Sequence, residues 1–142
     1  MSTDSRKLCD CTEDNTEFMS FDNVCCEGKV VDVYDGDSLT LALPFGGGYY
    51  KFKCRLFGID TAELRTCDRE EKKVGLEAKL FLENMVKGVV VWVECGKFDK
   101  YGRLLVTSFK SFEEERSVND MMVDNGYGYM YDGGKRKKFG DW

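Results

Sequence analysis

Three features of the 142-residue chain predict a mainly β fold, a five-stranded barrel with flanking helices. Three strand-like runs follow one another between Lys29 and Gly58, separated by turn signals. The hydrophobic period then changes from two to that of a helix over residues 74–87. Two more strand-like runs and a short capped helix complete the order. Three meandering strands, a helix, two strands and a helix is the order of an OB-fold barrel.

The first strand is Lys29-Val30-Val31-Asp32-Val33-Tyr34, rich in β-branched residues, and Asp35-Gly36-Asp37 is its turn. Ser38 to Leu43 alternates strictly and forms the second strand, stopped by Pro44, Phe45 and Gly46-Gly47-Gly48. Tyr49 to Gly58 is the third, with Phe52, Cys54 and Leu56 on one face and Lys51, Lys53 and Arg55 on the other. Val74, Ala78, Phe81 and Met85 recur at helical spacing, Leu80, Leu82 and Val86 widen the stripe, and Gly88 stops the helix. Val89 to Val93 is almost wholly apolar and is expected to be buried on both faces. Gly96 to Gly102 turns the chain into a fifth strand, Arg103 to Thr107. Ser117-x-x-Asp120 resembles a capping box and opens a short helix that Gly126 closes.

The length suits one domain. Residues 1–22 hold six acidic and two basic residues, a local charge of −4 out of a total of −5, and read as an acidic, cysteine-containing extension before a domain at 23–142. No apolar run reaches the about 20 residues a bilayer requires. The acidic start (Asp4, Asp10, Glu13, Asp14, Glu17) is unlike a signal peptide, so an intracellular protein without membrane contact is expected. Histidine is absent altogether. That excludes Ser-His-Asp and Cys-His catalysis and imidazole-bound zinc, and leaves acid–base work to carboxylates, Lys, Tyr or Cys. The seven cysteines read as reduced thiols; Cys9-x-Cys11 and Cys25-Cys26 lack the spacing of a zinc knuckle, and Cys54 and Cys95 read as small core residues.

Charged residues gather where these strands end: Asp37 at the first hairpin, Arg55 and Asp60-Thr61-Ala62-Glu63 around the end of the third strand, and Lys100-Tyr101-Gly102-Arg103 before the fifth. In a small barrel these ends can share one rim. The segments Val33-Tyr34-Asp35-Gly36-Asp37-Ser38, Arg55-Leu56-Phe57-Gly58-Ile59-Asp60-Thr61-Ala62-Glu63 and Asp99-Lys100-Tyr101-Gly102-Arg103 resemble, in order and spacing, the three signatures of the staphylococcal nuclease (thermonuclease) family. Val118-Asn119 and Tyr131-Asp132-Gly133-Gly134-Lys135 extend the resemblance over about residues 24–135.

The resemblance implies a calcium-dependent phosphodiesterase acting on DNA, RNA or both; the carboxylates are too few for a two-metal site, so one ion and no small-molecule cofactor are expected. By motif position Asp37 and Asp60 are carboxylate ligands of the metal and Thr61 offers its carbonyl. Glu63 is the general base, and Arg55 and Arg103 hold the phosphate. Cleavage in such enzymes leaves a 5′-hydroxyl and a 3′-phosphorylated end. The chemistry is consistent: calcium takes oxygen ligands, arginine presents a planar fork to phosphate, and a glutamate can orient water. Tyr101 and Lys100 in the third motif, and Lys135 in the basic run Lys135-Arg136-Lys137-Lys138, are candidate substrate contacts. The same run could serve as a nuclear-targeting patch. The alternative is a non-catalytic OB-fold module for nucleic-acid binding or scaffolding. Three departures from the family pattern stand out: Ala62 replaces a common proline, Ser38 a common threonine, and only eight residues follow Gly134. The family's third helix is therefore expected to be shortened or absent, leaving Phe18 and Phe21 as candidates to cover the exposed barrel surface.

Overall fold

The structure, a computed structural model, describes residues 6–142; the first five residues of the expected extension, Asp4 among them, lie outside it. The strands are β1 (Cys25–Asp35), β2 (Ser38–Phe45), β3 (Gly48–Leu56), β4 (Ile59–Thr61), β5 (Val90–Phe98), β6 (Leu104–Phe109) and β7 (Gly128–Met130). Helix α1 spans Arg69–Val86 and α2 spans Val118–Asp124. Five strands close a barrel in the order β1-β2-β3-β6-β5, with β1 pairing back onto β5. β4 and β7 form a separate two-stranded sheet. The OB-fold expectation holds: α1 lies between the third and fourth barrel strands, and α2 follows the fifth.

Alternation fills the barrel. Val30 and Val33 of β1, Leu39, Leu41 and Leu43 of β2, Cys54 and Leu56 of β3, Val91, Val93 and Cys95 of β5, and Leu104 and Val106 of β6 are buried together. Ala78, Leu82 and Val86 of α1 and Val118 and Met122 of α2 join the same cluster. Each fully buried Val, Leu or Ile contributes about 1.5–3 kcal/mol relative to an exposed one, so this layer dominates stability.

Several boundaries differ from expectation, for physical reasons. β1 begins at Cys25 because Cys25 to Lys29 pair with Glu94 to Val90, a tertiary pairing that no local pattern announces. β2 continues through Pro44 to Phe45; Pro44 lies opposite Tyr49 next to the hairpin turn, where a missing N–H is tolerated. Val89 and Val90 are exposed, against the expectation of two-sided burial: the outer face of this barrel strand is solvated, and only Val91, Val93 and Cys95 point inward. α1 starts five residues before Val74. Asp68 caps it, accepting from the amides of Glu70 (3.0 Å) and Glu71 (3.1 Å), and the polar first turn carries no apolar marker. Gly88, at φ 80°, supplies the left-handed residue after its end, as expected. Leu80 is exposed and adds nothing to the buried stripe.

Residues 131–142 contain neither helix nor strand, so no third helix follows β7 among the described residues. Phe21 reaches the core from the extension, with ring centroids 5.2–6.0 Å from Phe52, Phe45 and Phe98. Phe18 does not; it is 95% exposed. Among the described residues no helix is long and apolar enough to cross a membrane.

Candidate active site

Strand register assembles the site. Ser38 pairs with Arg55 across β2 and β3, so Asp37, one residue earlier, lies beside Arg55. Arg55 pairs with Leu105 across β3 and the parallel β6, which brings Arg103 to the same end of the barrel. The chain leaves β3 through Phe57-Gly58 and makes β4, whose Asp60 lies opposite Tyr129 of β7. Asn119 of α2 fixes this crossing. Its amide donates to the carbonyls of Phe57 (2.9 Å) and Val106 (3.0 Å), and its oxygen accepts from Ser108 N–H (3.1 Å).

The loop after β4 is set by α1. Glu71 accepts from the Glu63 amide (3.3 Å) and from the Thr66 hydroxyl (3.2 Å). Gly75 makes the close approach possible, because a Cβ there would meet the Glu63 carbonyl at 2.7 Å and the Ala62 carbonyl at 3.0 Å.

The result is a cleft of about 630 Å³ lined by Asp37, Arg55, Asp60, Glu63, Lys100, Tyr101 and Arg103, together with Tyr34, Tyr131 and Arg136. The five charged residues singled out in the sequence therefore meet at one mouth, with Lys100 and Tyr101. Thr61 is buried on β4 behind Asp60 and does not line the cleft. Lys135 is exposed and lies outside it; the next residue, Arg136, takes that place.

The geometry centres on Arg55 and Asp60. One terminal nitrogen of Arg55 reaches Asp37 Oδ2 (3.4 Å), Asp60 Oδ1 (3.3 Å) and the Ile59 carbonyl (3.1 Å). Asp60 is 2% exposed and also accepts from the Tyr129 hydroxyl (2.8 Å) and, twice, from Arg136 (Nε 2.7 Å, Nη2 2.9 Å). Arg136 further bonds Glu63. Burial, reinforced by the neighbouring Asp35, pushes the Asp37 carboxyl up to about 7; Arg55 opposes the shift without cancelling it. Burial, then the hydrogen bond to Asp60, raises the Tyr129 phenol.

In the same cleft Asp99 organises the third motif. It accepts from the amides of Tyr101 and Arg103 (both 2.9 Å) and from Arg103 Nε (2.8 Å). Partial burial would raise its carboxyl, but these bonds and the guanidinium outweigh it and leave it below the usual carboxylate range. The terminal nitrogens of Arg103 make no hydrogen bond among the described residues, and Lys100 and Arg103 flank the Tyr101 ring at 5.2 and 5.5 Å.

Arg136 and Tyr129 are the site residues that sequence reasoning missed. No local pattern marks Tyr129, whose partner Asp60 is 69 residues away. Arg136 was hidden in a basic run, although its planar fork is the one side chain there shaped for a two-point carboxylate contact. The cysteines take no part: all seven are free thiols, and burial pushes Cys54 and Cys95 up to about 12. Among the described residues no three Cys, Asp or Glu side chains gather closely enough to hold a metal ion.

Comparison with known proteins agrees with this architecture. The chain is 31% identical over 107 residues to an uncharacterized protein of Bacillus anthracis, a match covering 73% of this chain and 47% of that protein. It is 28% identical over 116 residues to Endonuclease Htp3 of Saprolegnia parasitica, covering 73% of this chain and 55% of the relative. The chain thus spans about half the length of the curated relatives it matches. Residues 53–141 match the family described as staphylococcal nuclease homologue, a segment that takes in Arg55, Asp60, Glu63, Arg103 and the whole cleft wall from β3 onward. With the closed barrel and the converging charged residues, this match makes the chain a member of the staphylococcal nuclease homologue family.

Proposed function

We propose that the chain is a calcium-dependent nuclease that hydrolyses phosphodiester bonds of DNA, RNA or both, leaving a 3′-phosphorylated end and a 5′-hydroxyl. The observation that carries this reading is the convergence of Asp37, Asp60, Arg55, Glu63 and Arg103 on one cleft. The donor set suits a hard divalent cation. It offers two buried carboxylates, no thiol and no imidazole, and the raised Asp37 marks a negative pair that Arg55 alone does not compensate. Asp37 and Asp60, which both line the cleft, would hold the ion. Two carboxylates fall short of the about 6–8 oxygens calcium takes, so waters and a phosphate oxygen would have to supply the others. Bound there, the cation supplies positive charge against the phosphoryl oxygens.

The chain's own residues do the rest. Glu63 accepts a proton from the attacking water and sets its line of approach. Arg55 and Arg103, both lining the cleft, place donors where charge accumulates on the equatorial oxygens. Tyr101, 72% exposed between Lys100 and Arg103, presents a ring on which a base can stack. Supercoiled plasmid and single-stranded RNA, incubated with the protein in calcium or in chelator, test the reading. Calcium-dependent products with 3′-phosphates are expected. Binding of either polymer without cleavage, unaffected by chelator, would replace the nuclease with a binding module.

A further inference from the structure

The twelve residues after β7 form no element of their own, yet they are tied to the cleft at several points. The Tyr131 amide donates to the Gly58 carbonyl (2.8 Å), and the Tyr131 hydroxyl to the Gly134 carbonyl (2.6 Å). The Lys137 amide donates to the Tyr129 hydroxyl (2.9 Å), which donates to Asp60. Trp142 packs on the Tyr129 ring with centroids 5.2 Å apart. Arg136 closes the strap with two bonds to Asp60 and one to Glu63.

Two features distinguish this contact from a fixed structural ion pair. The Arg136 side chain is 50% exposed while that of Asp60 is 3% exposed, so the guanidinium can leave without opening the core. The strap is exposed from Asp132 to Lys138, with Gly133 and Gly140 at φ 92° and 93°, and polar contacts hold that stretch. Asp60 also has no acceptor capacity left. Arg55, Tyr129 and the two Arg136 nitrogens supply four donors to about four lone-pair sites. A cation can join Asp60 only when a donor departs, and Arg136 is the most exposed of the three side chains.

We propose that the strap 131–142 is an autoinhibitory plug in which Arg136 and the divalent cation compete for Asp60. Metal binding then expels Arg136, releases Glu63 from its guanidinium partner and loosens Trp142 from Tyr129. By linkage, the factor by which the Arg136 contact weakens metal binding is the factor by which bound metal weakens that contact. The inference rests on the metal reading above.

Calcium alone, without nucleic acid, is titrated by calorimetry into the full chain and into its Arg136→Ala and Arg136→Lys variants, with Trp142 emission followed in a Trp92→Phe background. Arg136→Ala is expected to bind calcium about tenfold more tightly, with Arg136→Lys between the two. In the parent, Trp142 emission changes as the site saturates; in Arg136→Ala it starts near its endpoint. Equal or weaker affinity in both variants, or parent emission that stays constant at saturation, overturns the plug while leaving the metal site standing. Absence of calcium binding in all three proteins overturns both. If Arg136→Ala fails to melt cooperatively, the Lys variant alone decides by the same comparison.

Discussion

Asp37 carries the largest conflict between its charge and its surroundings. Its carboxyl, ordinarily near 3.8, rises to about 7 because it is buried beside Asp35 and Asp60 with one shared guanidinium. The native state therefore binds this proton more tightly than the unfolded chain does. The stability it contributes is full below the unfolded pKa of 3.8 and falls as pH rises towards about 7. In chelator, Asp37→Asn is expected to match the parent near pH 3, below the unfolded pKa. It should then gain on it through pH 7 and level off roughly 2–4 kcal/mol more stable. Denaturant melts at several pH values measure the difference; a constant gap across that range would remove the conflict from Asp37. Arg103 poses the opposite question, of geometry. Asp99 fixes its Nε, and the fork's terminal nitrogens, which make no hydrogen bond among the described residues, are the ones proposed to meet phosphate. Arg103→Lys keeps the charge and loses the fork, so kcat is expected to fall about tenfold or more with little change in fold. Unchanged turnover in that variant would show that charge alone suffices.

Among the elements, α1 matters to the site more than its distance in sequence suggests. Its Asp68 cap, Glu71 and Gly75 together set the backbone that presents Glu63. Gly75→Ala adds a methyl 2.7 Å from the Glu63 carbonyl, against backbone that cannot rotate aside. Ala favours the helix by about 1 kcal/mol. The variant is thus expected to lose about tenfold or more in cleavage rate, because a displacement near 1 Å at the base is costly. Its helix content should hold. Circular dichroism and initial rates separate the two effects, and full activity in a folded variant would contradict the close approach. α2 acts similarly through Asn119, whose three bonds join β6 to the turn before β4.

For the whole molecule, the fold was legible because its signals are local. Alternation marked β2, β-branched runs marked β1 and β5, and the period change marked α1. What escaped was decided by tertiary contact. The start of β1 depends on β5, and β4 and β7 are three residues each, too short to show a pattern. Of the site, the motif residues at strand ends were legible, since register alone carries Asp37 and Arg103 to Arg55. The C-terminal strap was not: Arg136 meets Asp60 across 76 residues through an irregular segment that has no period to read. Phe21 was suggested by its apolar character alone, and Phe18, equally apolar, stayed in solvent.

The central claim is that these scattered charged residues form one hydrolytic centre with Glu63 as its base. The most direct measurement is calcium-dependent cleavage by Glu63→Gln beside the parent, with nucleic-acid binding measured on the same preparations. The account predicts a rate lower by about 10²–10⁴-fold with binding nearly intact, since the substitution removes a base and leaves Asp37 and Asp60 in place. Cleavage at the parent's rate by Glu63→Gln would contradict it.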